Sequence, residues 1–464
     1  MKIFFLSFSF LFFAVTVNAQ ETVITGTAAG AEGKLIQLHT PGDLITFLEK
    51  PLVSTRVDSS GHFSLTLKLD RTIYAVLSIN FHKTEIFLEP LKTYRVKIAP
   101  MNYDDYKEIN PFVQASSLLV EIIYPQPDEL NILIGDFNAL YNAFVLKHFN
   151  DLYRDRNKAT LDTFKISIND RFVGVTNAYF NNYMAYKVAS LEQLTHAFSS
   201  PQLIKNYFSG RPVLYENLEY MDFFNTTFSK YLTVTSRVLR KADYPAILRG
   251  PDPYAVLMKL LATDSALHEV QLRELVLLKG MMEMYNTVDY PKEEVLGVIR
   301  AIGDKSSHPG NKVVSEDMIR LLTRLKPGSE APDFSLADLK QNQVSLKSLR
   351  GKPVLIGFWT TYCQGCLSDM DLIKPLFDKY KDRMAFLSIS ADKEFYKMLY
   401  FINLKPNYVW TFLHLGENSQ LLKDYDVRSY PLFVLIDKNG KIYQYPADQP
   451  GNGLEATIEK LLQE

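Results

Sequence analysis

Cysteine is scarce in this chain of 464 residues: there are two, Cys363 and Cys366. A framework of several disulfides is therefore excluded, and any internal disulfide must join these two. The eight histidines include no pair at local ligand spacing, so a metal centre has no support and none is expected. Net charge is close to absent, with 51 basic against 52 acidic side chains and a formal charge of −1. General electrostatic attraction to nucleic acid or to an anionic membrane is not expected from that balance. Beyond the first twenty residues no apolar run is long enough for a transmembrane helix.

What is present begins with a targeting pattern. Residues 1–19 read as an export signal: Lys2, an apolar stretch over 3–17 broken only by small polar residues, then Val17-Asn18-Ala19 before a cut. Retention as a membrane anchor is the alternative, against which the apolar core is short. No cysteine follows the cut, so a lipid anchor is not supported. The mature chain is expected to be soluble in a periplasmic or otherwise extracytoplasmic, disulfide-permissive compartment.

The remaining length suggests about three domains, and the 27 tyrosines and 30 phenylalanines favour packed cores over disordered linkers. Over 20–100 the apolar period is two, as in Phe63, Leu65, Leu67 and Leu69 or Tyr94, Val96 and Ile98. Asp58-Ser59-Ser60-Gly61 and Thr40-Pro41-Gly42-Asp43 supply turns, so an antiparallel β-sandwich-like or half-barrel domain is expected. His39, His62 and His82 stand singly there. From Pro125-Gln126-Pro127 the period becomes helical. Phe137, Leu140, Tyr141, Phe144, Val145, His148 and Leu152 form one predicted face; Leu267, Val270, Glu274, Leu277, Leu278 and Met281 form another. Loops are expected at 250–253 and 303–310, within a helical region spanning 101–326. After Lys326-Pro327-Gly328-Ser329, residues 327–464 alternate strand and helix as an α/β domain. The fold class is thus multidomain α+β.

The two cysteines sit inside that last domain. Residues 354–358 form a short apolar run suited to a strand covered on both faces. After Cys366 the apolar positions Met370, Ile373, Leu376, Phe377 and Tyr380 recur every three or four residues, which predicts a helix. Two cysteines three apart in its first turn share one face and can close a disulfide. Cys363 also lies where free backbone N–H groups and the helix dipole stabilise a thiolate. That makes Cys363 the nucleophile and Cys366 the resolving thiol of disulfide exchange. A static structural disulfide, half of a zinc site and two inert buried thiols are the bland alternatives. The first would restrain a loop of only four residues, and the second lacks two ligands.

An ordered set of motifs accompanies the pair: Ala331-Pro332-Asp333-Phe334, Val344-Ser345-Leu346, Arg350-Gly351-Lys352-Pro353, Phe358-Trp359, Asp426-Val427-Arg428-Ser429-Tyr430-Pro431 and Asn439-Gly440. On these residues the C-terminal domain resembles the thioredoxin-like superfamily, in particular exported TlpA/ResA-type thiol–disulfide oxidoreductases. The preceding sandwich and helices resemble the N-terminal extension of Bacteroidetes members. The resemblance implies a cis Pro431 beside the dithiol, with Tyr430 presenting backbone groups to an incoming peptide strand. It implies Asp369 as the acidic residue that takes the Cys366 proton, and Trp359 and Tyr362 as aromatics lining the site. No cofactor beyond the cysteine pair is implied. Implied partners are oxidised exported client proteins and a membrane-embedded thiol reductant.

Departures from the family pattern bear on the chemistry. Gln364-Gly365 replaces the usual second-position proline, and Tyr362 stands where tryptophan is common. Gly357 fills the position where cytosolic thioredoxins bury an aspartate, and the helix proline is Pro375 instead of residue 371. With no positive charge between the cysteines, reduction of client disulfides is the expected direction. A peroxiredoxin-like peroxidase is the second expectation: Thr360-Thr361-Tyr362-Cys363 fits the end of that signature, although Ile356 stands where its proline belongs. A non-enzymatic envelope binding protein on a thioredoxin scaffold is the third.

Overall fold

The computed structural model describes residues 21–80, 82–103, 117–123, 126, 128–416, 418 and 420–463. The expected export signal over 1–19, and Pro125 and Pro127, lie outside the described residues. The first unit is built from β1 (Thr22–Ala28), β2 (Leu35–Pro41), β3 (Glu49–Arg56), β4 (His62–Leu67), β5 (Ile73–Ile79), β6 (His82–Leu88), β7 (Thr93–Ile98) and β8 (Val120–Ile122). They form two four-stranded sheets, ordered β4-β1-β7-β8 and β3-β2-β5-β6. The alternation read from the sequence explains the packing: Phe63, Leu65, Tyr94, Val96 and Ile98 point into a core shared by both sheets. Between these strands pairing is antiparallel except for β1 with β7, which run parallel from Val23↔Thr93 to Ala28↔Ile98; an isolated bridge, Lys83↔Ser117, is also parallel. The expected antiparallel sandwich is thus present, with one parallel pair of strands that arises because β5 and β6 intervene in the other sheet before the chain returns as β7. The chain also comes back to this sandwich after residue 100, because β8 pairs with β7 through Val96↔Ile122.

Helices fill the middle of the chain, from Leu130–Lys147 to Pro309–Thr323. The first ends at the cap residue His148, with Leu152 in a separate π turn, Asn150–Arg154. Its buried positions are Leu130, Leu133, Ile134 and Phe137, while Leu140 is exposed. Tyr141, Phe144 and Val145 continue the same face, partly buried against that cluster, so within the helix the predicted face holds except at Leu140. The predicted loop at 303–310 shrinks to residues 306–308. Gly303 is helical in Lys292–Lys305, and Gly310 opens Pro309–Thr323. Both glycines serve close approach instead of a turn: an added Cβ would lie 2.8 Å from Ser315 Oγ at the first and 2.3 Å from the Tyr215 ring at the second.

The C-terminal unit is a seven-stranded sheet of β9 (Ser335–Asp338), β10 (Gln343–Ser345), β11 (Val354–Trp359), β12 (Ala385–Ser390), β13 (Thr411–His414), β14 (Leu432–Ile436) and β15 (Ile442–Gln444). Their order is β10-β9-β13-β12-β11-β14-β15. The inner strand β11 is buried at every position, as its continuous apolar run requires. It runs parallel to β12 and antiparallel to β14. Helices on both faces enclose separate apolar clusters, one around Phe358 and Tyr425 and one around Trp359, Cys366 and Met370. The sandwich docks on this unit through Glu49, which accepts from Lys83 Nζ at 3.1 Å and Lys423 Nζ at 2.7 Å. Lys50 meanwhile donates to Asp317 in the last middle helix at 2.8 Å. Among the described residues no helix is long and apolar enough to cross a membrane.

Candidate active site

Strand β11 ends at Trp359, and the chain turns through 360–363 into the helix Gln364–Tyr380. The turn is closed by the Cys363 N–H, which donates to the Thr360 carbonyl at 3.2 Å. Cys363 is the N-cap of the helix, and its Sγ accepts from the Cys366 N–H at 3.1 Å. A sulfur thus occupies the place where Ser or Asp usually caps, among backbone donors that have no helical partner. The two sulfurs are joined at 2.09 Å, with the Cα atoms 5.2 Å apart. Their exposures differ. Cys366 is 2% exposed and packs with Trp359, Met370 and Ile373, whereas Cys363 is only partly covered. An incoming thiolate or disulfide can reach Cys363, while Cys366 is shielded behind it.

The other expected site residues fall around this pair. The Tyr430–Pro431 bond is cis. Pro431 faces the first turn of the dithiol helix: a Cβ at Gly365 would lie 3.8 Å from its Cδ. Tyr430 is half-buried; burial first, then the neighbouring Tyr362, pushes its hydroxyl well above the ordinary tyrosine range. Tyr362 itself is 42% exposed. Trp359 is buried with its ring on Phe401 at 5.4 Å, and its indole N–H meets no acceptor among the described residues.

Asp369 lies one turn after Cys366 on the same helix face. It is half-buried, and that desolvation raises its carboxyl above the ordinary aspartate range. The same helix runs through Pro375 to Tyr380. Sequence reasoning missed a further carboxylate, Asp392, which accepts from the Thr361 N–H and hydroxyl just ahead of the dithiol. Its one sequence signal was position: a polar residue just past the carboxyl end of a parallel strand, where α/β sheets place their sites.

Comparison with known proteins covers this unit alone. Residues 327–445 match the AhpC/TSA family. The thiol-disulfide oxidoreductase ResA of Bacillus thuringiensis is 30% identical over 141 residues, spanning 30% of this chain and 80% of that protein. The thioredoxin-like protein YneN of Bacillus subtilis is 34% identical over 121 residues, 25% of this chain and 69% of that protein. Among solved structures, the thioredoxin domain of a thiol-disulfide oxidoreductase from Bacteroides vulgatus is 28% identical, with a TM-score of 0.27. It aligns over 30% of this chain and 99% of that one. Through its C-terminal domain, then, the chain belongs to the ResA-type thiol–disulfide oxidoreductases.

Proposed function

We propose that this oxidoreductase is exported and reduces disulfides of other envelope proteins through the Cys363-Gln364-Gly365-Cys366 dithiol. The observation that carries the reading is the asymmetry of the pair. One sulfur caps the helix and is partly open, and the other is 2% exposed directly behind it. In the reduced protein the Cys363 thiolate attacks a client disulfide, forming a mixed disulfide and releasing one client thiolate. Cys366, losing its proton to Asp369, then attacks Cys363 Sγ and expels the second client thiolate. The client leaves with two electrons gained, and the chain keeps the internal disulfide. A membrane-embedded thiol reductant would restore the dithiol, with no further cofactor or metal. Tyr430 and Pro431 would hold the client backbone as a short added strand, with Trp359 and Tyr362 lining the approach.

Cys366→Ser tests this in cells: it should accumulate a covalent client adduct that dithiothreitol releases, and Cys363→Ser should accumulate none. Equal labelling in both variants would defeat the assignment of nucleophile. The direction of flow is tested by the dithiol's potential. A value near that of a strong oxidant, on the order of −120 mV, would reverse it. The AhpC/TSA match, with Thr360 three residues before Cys363, favours a second reading as a thiol peroxidase. Rapid peroxide consumption by the reduced chain would establish that reading in place of the first.

A further inference from the structure

We infer that Asp392, acting through Thr361, is a positioning residue for the dithiol; the inference rests on the exchange mechanism proposed above. Strands β11 and β12 run parallel with Trp359 opposite Ser390. The Ala391 N–H then donates to the Trp359 carbonyl at 2.9 Å. The two chains therefore leave the sheet side by side, and Asp392 arrives next to Thr361. Its carboxylate is 1% exposed. Its oxygens accept from the Thr361 N–H at 3.0 and 3.1 Å, the Thr361 hydroxyl at 2.7 Å and the Ser390 hydroxyl at 2.7 Å. The Asp392 backbone is fixed as well, since its N–H donates to Ser390 Oγ at 3.1 Å and its carbonyl lies 2.8 Å from His414 Nε2. His414 is held in turn against the edge of Phe395, and burial lowers its pKa, which favours the neutral ring.

No cation pairs with Asp392 among the described residues, so the carboxylate is satisfied by hydrogen-bond donors alone. Burying an unpaired carboxylate is costly, and two neutral hydroxyls could close this corner of the sheet more cheaply. What the carboxylate adds is a double grip on Thr361, two residues ahead of Cys363 and inside the turn that the Cys363 N–H closes on Thr360. Stabilisation of a thiolate by helix N–H groups is confined to the first turn. It therefore depends on how firmly that turn holds Sγ at the cap. A buried negative charge acting merely through space would have the opposite effect, disfavouring the thiolate.

The two roles separate by sign. In a Cys366→Ser background, the rate of Cys363 alkylation by iodoacetamide is followed against pH, because it tracks the thiolate fraction. Thr361→Val keeps the charge and removes one grip; it should slow alkylation at neutral pH by about threefold to tenfold, with the midpoint shifted upward. Asp392→Ala should slow it at least as much. Asp392→Asn can still accept from the Thr361 N–H and donate to Ser390 Oγ, so it should stay close to the parent or react faster. If Thr361→Val keeps the parental profile while its thermal midpoint falls, the carboxylate is structural and the inference fails. It fails equally if both Asp392 variants react faster than the parent. Should Asp392→Ala not fold, Thr361→Val decides alone. A Cys363 that titrates as an ordinary thiol in the parent would remove the exchange mechanism, and this inference with it.

Discussion

The position where cytosolic thioredoxins bury an aspartate can be tested by adding one methyl group. Gly357 lies in the middle of β11, directly opposite Phe433 on β14. A Cβ built on Gly357 would sit 2.9 and 3.2 Å from two carbons of the Phe433 ring, which is itself buried. Gly357→Ala therefore has two opposed consequences. Restricting the unfolded chain and removing a strand glycine stabilises by about 0.5–1 kcal/mol. Overpacking against a ring fixed on the neighbouring strand costs about 1–3 kcal/mol. The net expectation is a loss of roughly 0.5–2 kcal/mol. In a Phe433→Leu background the collision disappears and only the first effect remains, so the same methyl should stabilise. The coupling between the two sites should then be about 1–3 kcal/mol. Urea unfolding of the full chain measures it cleanly by tryptophan fluorescence, because the two tryptophans, Trp359 and Trp410, both lie in this domain. If Gly357→Ala changes stability by the same amount in both backgrounds, the ring is not what fills the site. The reasoning also explains why a carboxylate could not simply be restored at residue 357: the space belongs to Phe433.

Three further outcomes are expected. Burial raises the Asp369 carboxyl, so the acidic limb of turnover should lie above the ordinary aspartate value and vanish in Asp369→Asn, along with most of the rate, on the order of a hundredfold. An unchanged pH profile would exclude Asp369 as the proton acceptor. The sign for stability is opposite: a raised folded-state value favours the fold below about pH 3.9 and loses that contribution as pH rises. Asp369→Asn should thus melt slightly higher than the parent at pH 7 and equally at pH 3; a lower melt at pH 7 would contradict this. Glu49→Gln should cost no more than about 1 kcal/mol yet speed proteolytic cleavage near residues 326–329, as the sandwich loosens from Lys423. Unaltered cleavage would show that the ion cluster does not hold the units together.

How much could be read in advance depended on how local the cause was. Strand, turn, cysteines and helix over 354–380 are consecutive, and each is specified by its own period and cap. The sandwich alternation was equally plain, since Phe63 or Val96 needs only its neighbours to choose a face. Partners distant in sequence were not legible. Nothing in the sequence near Gly303 announces that Ser315 will press against it, so the glycine read as a loop. Val120–Ile122 is too short to show a period, and its membership of the first sheet comes from pairing with β7. Asp392 has no local pattern of its own to mark it. Its meaning lies in Thr361, thirty-one positions earlier, which the parallel register of β11 and β12 brings to its side.

One peptide step in β3 carries a mechanical consequence. Glu49 reaches the reactive domain through Lys423, and its neighbour Lys50 reaches the helical layer through Asp317. Successive side chains of a strand project to opposite sides. The same short lever therefore aims the sandwich at both other bodies. Lengthening the 42–48 turn that feeds this strand would tilt both joints together and re-aim the Cys363 edge without altering a single residue of the chemistry.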